Sequence, residues 1–80
     1  MVKRRVKLVF PSDLITEPII YLMSKNYEVV TNIRRANVTS DLGWVVLEVD
    51  GEEDVVNEAL RWAEDKGVVV EPVEGDVIAG

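Results

Sequence analysis

The stretch Tyr27–Gly51, YEVVTNIRRANVTSDLGWVVLEVDG, decides the fold of this 80-residue chain. It contains two runs rich in β-branched residues, and the turn-rich segment ANVTSDLG lies between them. Such runs, separated by turn residues, predict two strands. In the first run the polar residue Asn32 stands among apolar neighbours. Because successive side chains of a strand point to opposite faces, Asn32 and Ile33 are expected to serve different faces.

Alternation along both strands separates a core face from an open face. The residues that share the faces of the earlier strand are Val29, Thr31 and Ile33 on one side and Val30, Asn32 and Arg34 on the other. In the later strand, Trp44–Val49, one face holds Val45, Leu47 and Val49 and the other holds Trp44, Val46 and Glu48. We therefore predict that Ile33 is a core residue and that Asn32 is a ligand-site residue. A solvated polar residue on the sheet is the alternative interpretation of Asn32.

Upstream of this stretch, the sequence predicts a strand and a helix. Residues 3–10 alternate with a period of two, and Pro11 ends this strand. A helix then follows in which Thr16 is the N-cap and Pro18 lies in the first turn. With this cap, Ile15 and Ile20 occupy the positions of a hydrophobic staple. The helix is expected to stop at Asn26.

Downstream, the sequence predicts a second helix and a last strand. The helix starts beside three acidic residues at 52–54, carries apolar residues at helical spacing and ends at Lys66 and Gly67. The segment VVVEPV forms the strand, and residues 74–80 are left as an unassigned tail. The resulting order, β-α-β-β-α-β, predicts a single α+β domain over residues 1–80 with a ferredoxin-like fold and a core of about 3–73. Its four-stranded antiparallel sheet has the strand order 4-1-3-2, with both helices on one face.

This topology predicts which charges meet and which surface associates. Arg5 and Lys7 of the central first strand are expected to lie across from Glu48 and Glu71. The second strand falls at an edge, which needs protection or a partner. Three apolar residues are expected outside the helix-covered face and predict a homodimer interface: Val30, Trp44 and Val46.

Composition excludes several classes of function. The chain has no Cys and no His, so it lacks the usual general base, thiolate nucleophile and commonest metal ligands, and we predict no enzymatic activity, metal or cofactor. A formal charge of −6 opposes nucleic-acid binding, because phosphate neutralisation dominates that affinity. No apolar run is long enough for a membrane span or a secretory leader, so we expect a cytoplasmic protein without membrane insertion.

Several short motifs together resemble the NIL domain, a family related to the ACT regulatory domains. They are Leu8-x-Phe10, Pro18, TNI in the second strand, Gly43, VDG after the third strand, Ala59-Leu60 and the terminal GVVVEPV. The Asn and Ile of the name-giving Asn-Ile-Leu motif fall on Asn32 and Ile33, whereas Arg34 replaces the Leu. Ser12 stands where many members have Gly.

The resemblance implies a regulatory module. NIL domains form the carboxy-terminal part of methionine-importer ATPases, where the module binds methionine between two copies and restrains transport, and they also occur fused to ferredoxin domains. No Walker glycine loop and no ferredoxin cysteines are present here, so a separate transporter ATPase or ferredoxin-type chain is the expected protein partner.

An amino-acid ligand needs N–H donors for its carboxylate and oxygen acceptors for its ammonium. The start of the first helix, around Thr16 and Glu17, is expected to supply the donors, and the Asn32 side chain or strand-edge carbonyls are expected to accept from the ammonium. The second strand near Asn32 can belong to the same or the partner chain, and the ligand is expected to lie at the dimer interface. Ile15 and Ile33 would contact an apolar side chain such as that of methionine. Two alternatives remain open: a dimerisation or protein-interaction module without a ligand, and an acylphosphatase-like hydrolase, for which the glycine-rich first loop with its Arg is missing.

Overall fold

The structure is a computed structural model that describes residues 1–14, 17–39 and 41–73. Its elements in chain order are β1 (Val2–Phe10), a 3-10 turn (Ser12–Leu14), α1 (Ile19–Asn26), β2 (Val30–Val38), β3 (Gly43–Gly51), α2 (Glu53–Asp65) and β4 (Val69–Pro72). The strands form one antiparallel sheet in the order β2-β3-β1-β4. The predicted βαββαβ topology and strand order are confirmed. Neither helix in the described ranges has the length and apolarity needed to cross a membrane.

The core lies between the sheet and the helices. Both helices contribute to it, through Ile19 and Met23 of α1 and through four residues of α2 at helical spacing: Val56, Ala59, Leu60 and Ala63. The predicted core face of β3 is confirmed, because Val45, Leu47 and Val49 are all buried. The opposite face of the sheet, which we call the open face, carries the side chains between them.

The start of α1 differs from the prediction. Pro18 is the N-cap and Ile19 the first helical residue, so the assignment of Thr16 as N-cap was wrong. The residue before a proline is disfavoured in the helical region, so the helix cannot extend back through Glu17. The Ile19 N–H instead donates to the Glu17 carbonyl (2.8 Å) across Pro18, whose φ and ψ of −81° and 63° are those of an inverse γ-turn.

β2 continues further than predicted. The segment from Ala36 was expected to be a turn, but the strand runs to Val38 and contains a bulge between Ile33 and Arg35. The connection to β3 is instead closed by Thr39. Its hydroxyl donates to the Leu42 carbonyl (2.9 Å) and accepts from the Leu42 N–H (3.1 Å), while its own N–H donates to the same carbonyl (2.8 Å).

Ile33 is not a core residue, and this prediction was wrong. It pairs with Leu47, so its side chain lies on the helix side of the sheet as expected, yet it is 54% exposed. The reason is that α1 is only eight residues long and reaches β2 near the start of that strand. There the hydroxyl groups of Ser24 and Thr31 lie 3.1 Å apart. Ile33 lies beyond this contact, so α1 leaves its side chain largely uncovered.

The predicted cross-strand charges are confirmed. Arg5 pairs directly with Glu48 on β3, and Lys7 with Glu71 on β4. Glu48 is buried, and the Arg5 guanidinium donates a hydrogen bond to its carboxylate. This hydrogen bond is the main reason that the pKa of Glu48 is lowered; burial raises it, and the charges of Arg5, Arg34 and Lys3 lower it further. The centre of the open face therefore holds an ionised carboxylate that is internally neutralised.

Candidate functional site

A cleft of about 200 Å³ opens at one end of the sheet, beside the start of α1. Three strand ends meet there, because Gly43 at the start of β3 pairs with both Phe10 at the end of β1 and Val38 at the end of β2. α1 completes the wall. The lining residues are Phe10, Glu17, Pro18, Ile19, Ile20, Tyr21, Val38, Gly43 and Val45.

The walls of the cleft are mainly apolar. Phe10, Ile19 and Val45 form its buried floor, whereas Val38 is 56% exposed at its mouth. Glu17 is the one charged residue of the lining that the structure describes. A Cβ on Gly43 would lie 3.5 Å from the methyl groups of Val38, so glycine at this position leaves free space between β3 and the end of β2. The cleft is thus suited to an apolar group with a charged end near Glu17.

The structure brings together only part of the predicted site. Glu17 lines the cleft, while Ile15 and Thr16 lie outside the described residues. Asn32 pairs with Glu48, so its side chain is on the open face, on the opposite side of the sheet from α1. Within one subunit, Asn32 and the start of α1 therefore do not meet.

Of the nine lining residues, only Glu17 was predicted as a site residue. The four that the strands contribute were missed, namely Phe10, Val38, Gly43 and Val45, and so were the four at the start of α1 from Pro18 to Tyr21. Unbroken alternation from Ile33 would place Val38 on the open face. The bulge between Ile33 and Arg35 returns Val38 to the helix side, opposite Gly43, and the sequence carries no signal for this bulge. Phe10 and Gly43 enter the site only through the pairing of β1 with β3.

The predicted interface residues lie on the open face or at its margin. Trp44 and Val46 are half-buried in β3, and Val30 is 67% exposed on β2. The Lys7 ammonium lies 5.1 Å from the centre of the Trp44 ring, within the range of a cation–π contact. The side chain of Lys7 thus covers part of the indole, and the Arg5–Glu48 ion pair lies next to Val46 on the same face.

Comparison with known proteins agrees with this architecture. The C-terminal domain of an ABC transporter ATP-binding protein from Enterococcus faecalis has a similar fold, with a TM-score of 0.77 and 22% sequence identity, and the match covers 91% of this chain and 86% of that one. A search of curated protein sequences gives no match. The family model of the NIL domain matches residues 4–72, so this chain belongs to the NIL domain family.

Proposed function

We propose that this domain is a non-catalytic regulatory module that binds a small amino acid, with methionine as the first candidate, in the cleft at the start of α1. The observation that carries the proposal is the apolar cleft of about 200 Å³ with one acidic residue in its lining. Pockets for drug-sized ligands measure roughly 300–1,000 Å³, so this cleft favours a ligand of amino-acid size. Membership of the NIL family supports a regulatory role.

The cleft offers a partner to each part of such a ligand. The first N–H groups of a helix lack intrahelical acceptors and favour an anion, so the start of α1 can receive the ligand carboxylate. The Glu17 carboxylate, and not Asn32, then accepts from the ammonium. The apolar side chain lies between Ile20 and Val38, where burial in place of hydration stabilises the complex by about 0.8 kcal/mol per CH₂ group.

The regulated activity would belong to another polypeptide or domain. The absence of His and Cys leaves this chain poorly equipped for acid–base or nucleophilic catalysis near neutral pH. The similar solved domain comes from an ATP-binding protein of a transporter, and this origin favours a transporter ATPase over a ferredoxin-type partner. We place the module in the cytoplasm on the same ground.

The proposed site is tested by replacing Val38, the more exposed of the two valines that line the cleft. Val38→Ala should weaken methionine binding about tenfold, because it removes two methyl contacts worth together somewhat more than 1 kcal/mol. Val69→Ala is the matched control, since Val69 is an equally exposed valine on the opposite edge strand, at 51%. Binding is followed by amide chemical shifts during titration. The cleft would be rejected as the methionine site if the shifts were confined to α2, or if no amide shifted at millimolar methionine. Equal affinities of the two variants for methionine would also reject it.

We further propose that the module is a homodimer that packs through the open face. Helices do not cover this face. Its central Arg5 and Glu48 form an ion pair and Lys7 stands opposite Glu71, so charges of opposite sign alternate on the face that two copies would bring together. Trp44 is the expected anchor, because tryptophan dominates many association surfaces.

Light scattering at high micromolar concentration should therefore give twice the mass of the chain. Trp44→Ala should return it to the monomer mass, whereas the control Tyr21→Ala, an exposed aromatic residue on α1, should leave the dimer intact. A monomeric wild-type protein under these conditions would reject the dimer without affecting the cleft.

A further inference from the structure

β2 is the most exposed element of the molecule. Eight of its nine residues are exposed, with Thr31 the exception. It pairs with β3 along one edge, and no strand of the described residues lies along the other. A row of backbone N–H and C=O groups on a long edge strand is a template for a further strand. The backbone along the outer edge of β2 can therefore form hydrogen bonds with a strand of another molecule.

The two sides of this edge differ in chemistry. On the helix side, the exposed residues are apolar: Ile33 at 54%, Val38 at 56%, and Ala36 between them. Ala36 and Val38 belong to this side because they pair with Val45 and Gly43. An incoming strand would thus meet apolar side chains at alternate positions.

On the open side the edge is basic, and the bulge is the cause. Arg35 pairs with Val46 of the open face, while Arg34 is the extra residue of the bulge and its charge acts on the Glu48 carboxylate. Arg35 therefore lies on the open side, and Arg34, at the adjoining bulge position, adds a second cation to this edge. In the described part of the chain, neither forms an ion pair. The next strand would meet two cations here.

We propose that the β2 edge binds an extended acidic segment of another protein as a fifth strand. Alternate residues of this segment are apolar toward Ile33 and Val38, and the residues between them are Glu or Asp toward Arg34 and Arg35. Main-chain hydrogen bonds supply the affinity in such strand addition, and side chains at alternate positions supply the specificity. The β2 edge shares Val38 with the proposed amino-acid cleft, and it adjoins the open face where Arg35 pairs with Val46. The inference rests on neither the amino-acid ligand nor the dimer.

Charge favours this occupant over a second copy or a nucleic acid. If the β2 strands of two copies paired antiparallel along their full length, Arg34 would be at the centre. The Arg34 residues of the two copies would then lie directly opposite each other. Like charges directly across strands are destabilising, whereas opposite charges are favourable. A nucleic acid cannot form the backbone hydrogen bonds that another strand forms with an edge strand. The net charge of −6 also opposes the binding of a nucleic acid, which is a polyanion.

The test uses fluorescein-labelled nine-residue peptides and fluorescence anisotropy. A peptide of alternating Glu and Val should bind the wild-type protein, and a peptide of alternating Lys and Val should bind at least tenfold more weakly. The double variant R34E/R35E should reverse this preference. Both arginines are exposed, so the variant is expected to fold, and circular dichroism checks this.

The matched control is K25E/R61E, which makes the same change of charge at exposed positions on the two helices. It should retain the wild-type preference for the Glu peptide. Hydrogen exchange should show new protection of β2 amides when the Glu peptide is bound. The proposal would be overturned if both peptides bound equally, if neither bound at millimolar concentration, or if R34E/R35E kept the wild-type preference. It would also be overturned if self-association already protected the β2 amides without peptide.

Discussion

Leu47→Ala should lower the free energy of unfolding by about 2–5 kcal/mol, whereas Ile33→Ala should lower it by only about 1 kcal/mol. The two residues are direct neighbours across β3 and β2 and lie on the same side of the sheet. Leu47 is fully buried beneath the helices, so its truncation leaves a cavity as well as losing transfer free energy. Ile33 is 54% exposed, so water fills the space that its side chain leaves.

Urea unfolding gives the free energy of unfolding of both variants. Their midpoint urea concentrations are compared with the same slope of free energy against urea concentration. The experiment is carried out over a range of protein concentrations, because a partner strand on β2 would bury Ile33 and raise the cost of its truncation. Equal losses at the lowest concentration would contradict the exposed position of Ile33. They would restore the expectation from sequence that this residue belongs to the core.

Gly51→Ala should lower the free energy of unfolding by about 1–3 kcal/mol through overpacking. A Cβ at this position would lie 3.0 Å from the Glu28 carbonyl oxygen and 3.2 Å from a methyl group of Val29. The first neighbour is backbone at the entry to β2, so it cannot rotate away as a flexible side chain can. The added methyl group must displace either the end of β3 or the start of β2.

Gly43→Ala is the matched control at the other end of the same strand. There the atoms nearest to the new Cβ all belong to the Val38 side chain, and the closest lies at the ordinary contact distance of 3.5 Å. This substitution should be neutral or stabilise the protein by up to about 1 kcal/mol, because it reduces the freedom of the unfolded chain. Thermal unfolding of both variants compares them directly. A greater loss for Gly43→Ala than for Gly51→Ala would show that the packing at the two ends has been assigned the wrong way round.

The elements that were predicted correctly are those with a local signal. α2 runs from Glu53 to Asp65, as its helical spacing and its acidic start indicated, and α1 ends at Asn26 as expected. The period of two in β1 and β3 identified their buried faces, since burial of a half-exposed strand imposes that period on the sequence. The pairing of Arg5 with Glu48 followed from topology and charge together.

The candidate site was predictable only in part, because it is made of residues distant in sequence. Glu17 was expected at the start of α1, and it does line the cleft. Asn32 was expected on the face opposite Ile33, and its pairing with Glu48 places it there. This position is on the other side of the sheet from α1, so Asn32 could join the same site only from a partner subunit. Gly43 and Phe10 have no sequence signal for a cleft, since it is their pairing that brings them to one end of the sheet.

By itself, the sequence determined the order of elements, the faces of β1 and β3, and the lack of the residues that most enzymes use, because periodicity and composition are local properties. Only the tertiary structure decided that Ile33 is exposed, that Arg35 lies on the open face beside a bulge at Arg34, and that Val38 lines the cleft. Two physical reasons account for these three cases. Burial depends on how far α1 extends over the edge strand, and side-chain direction after Ile33 depends on a bulge that the alternation of the sequence does not record.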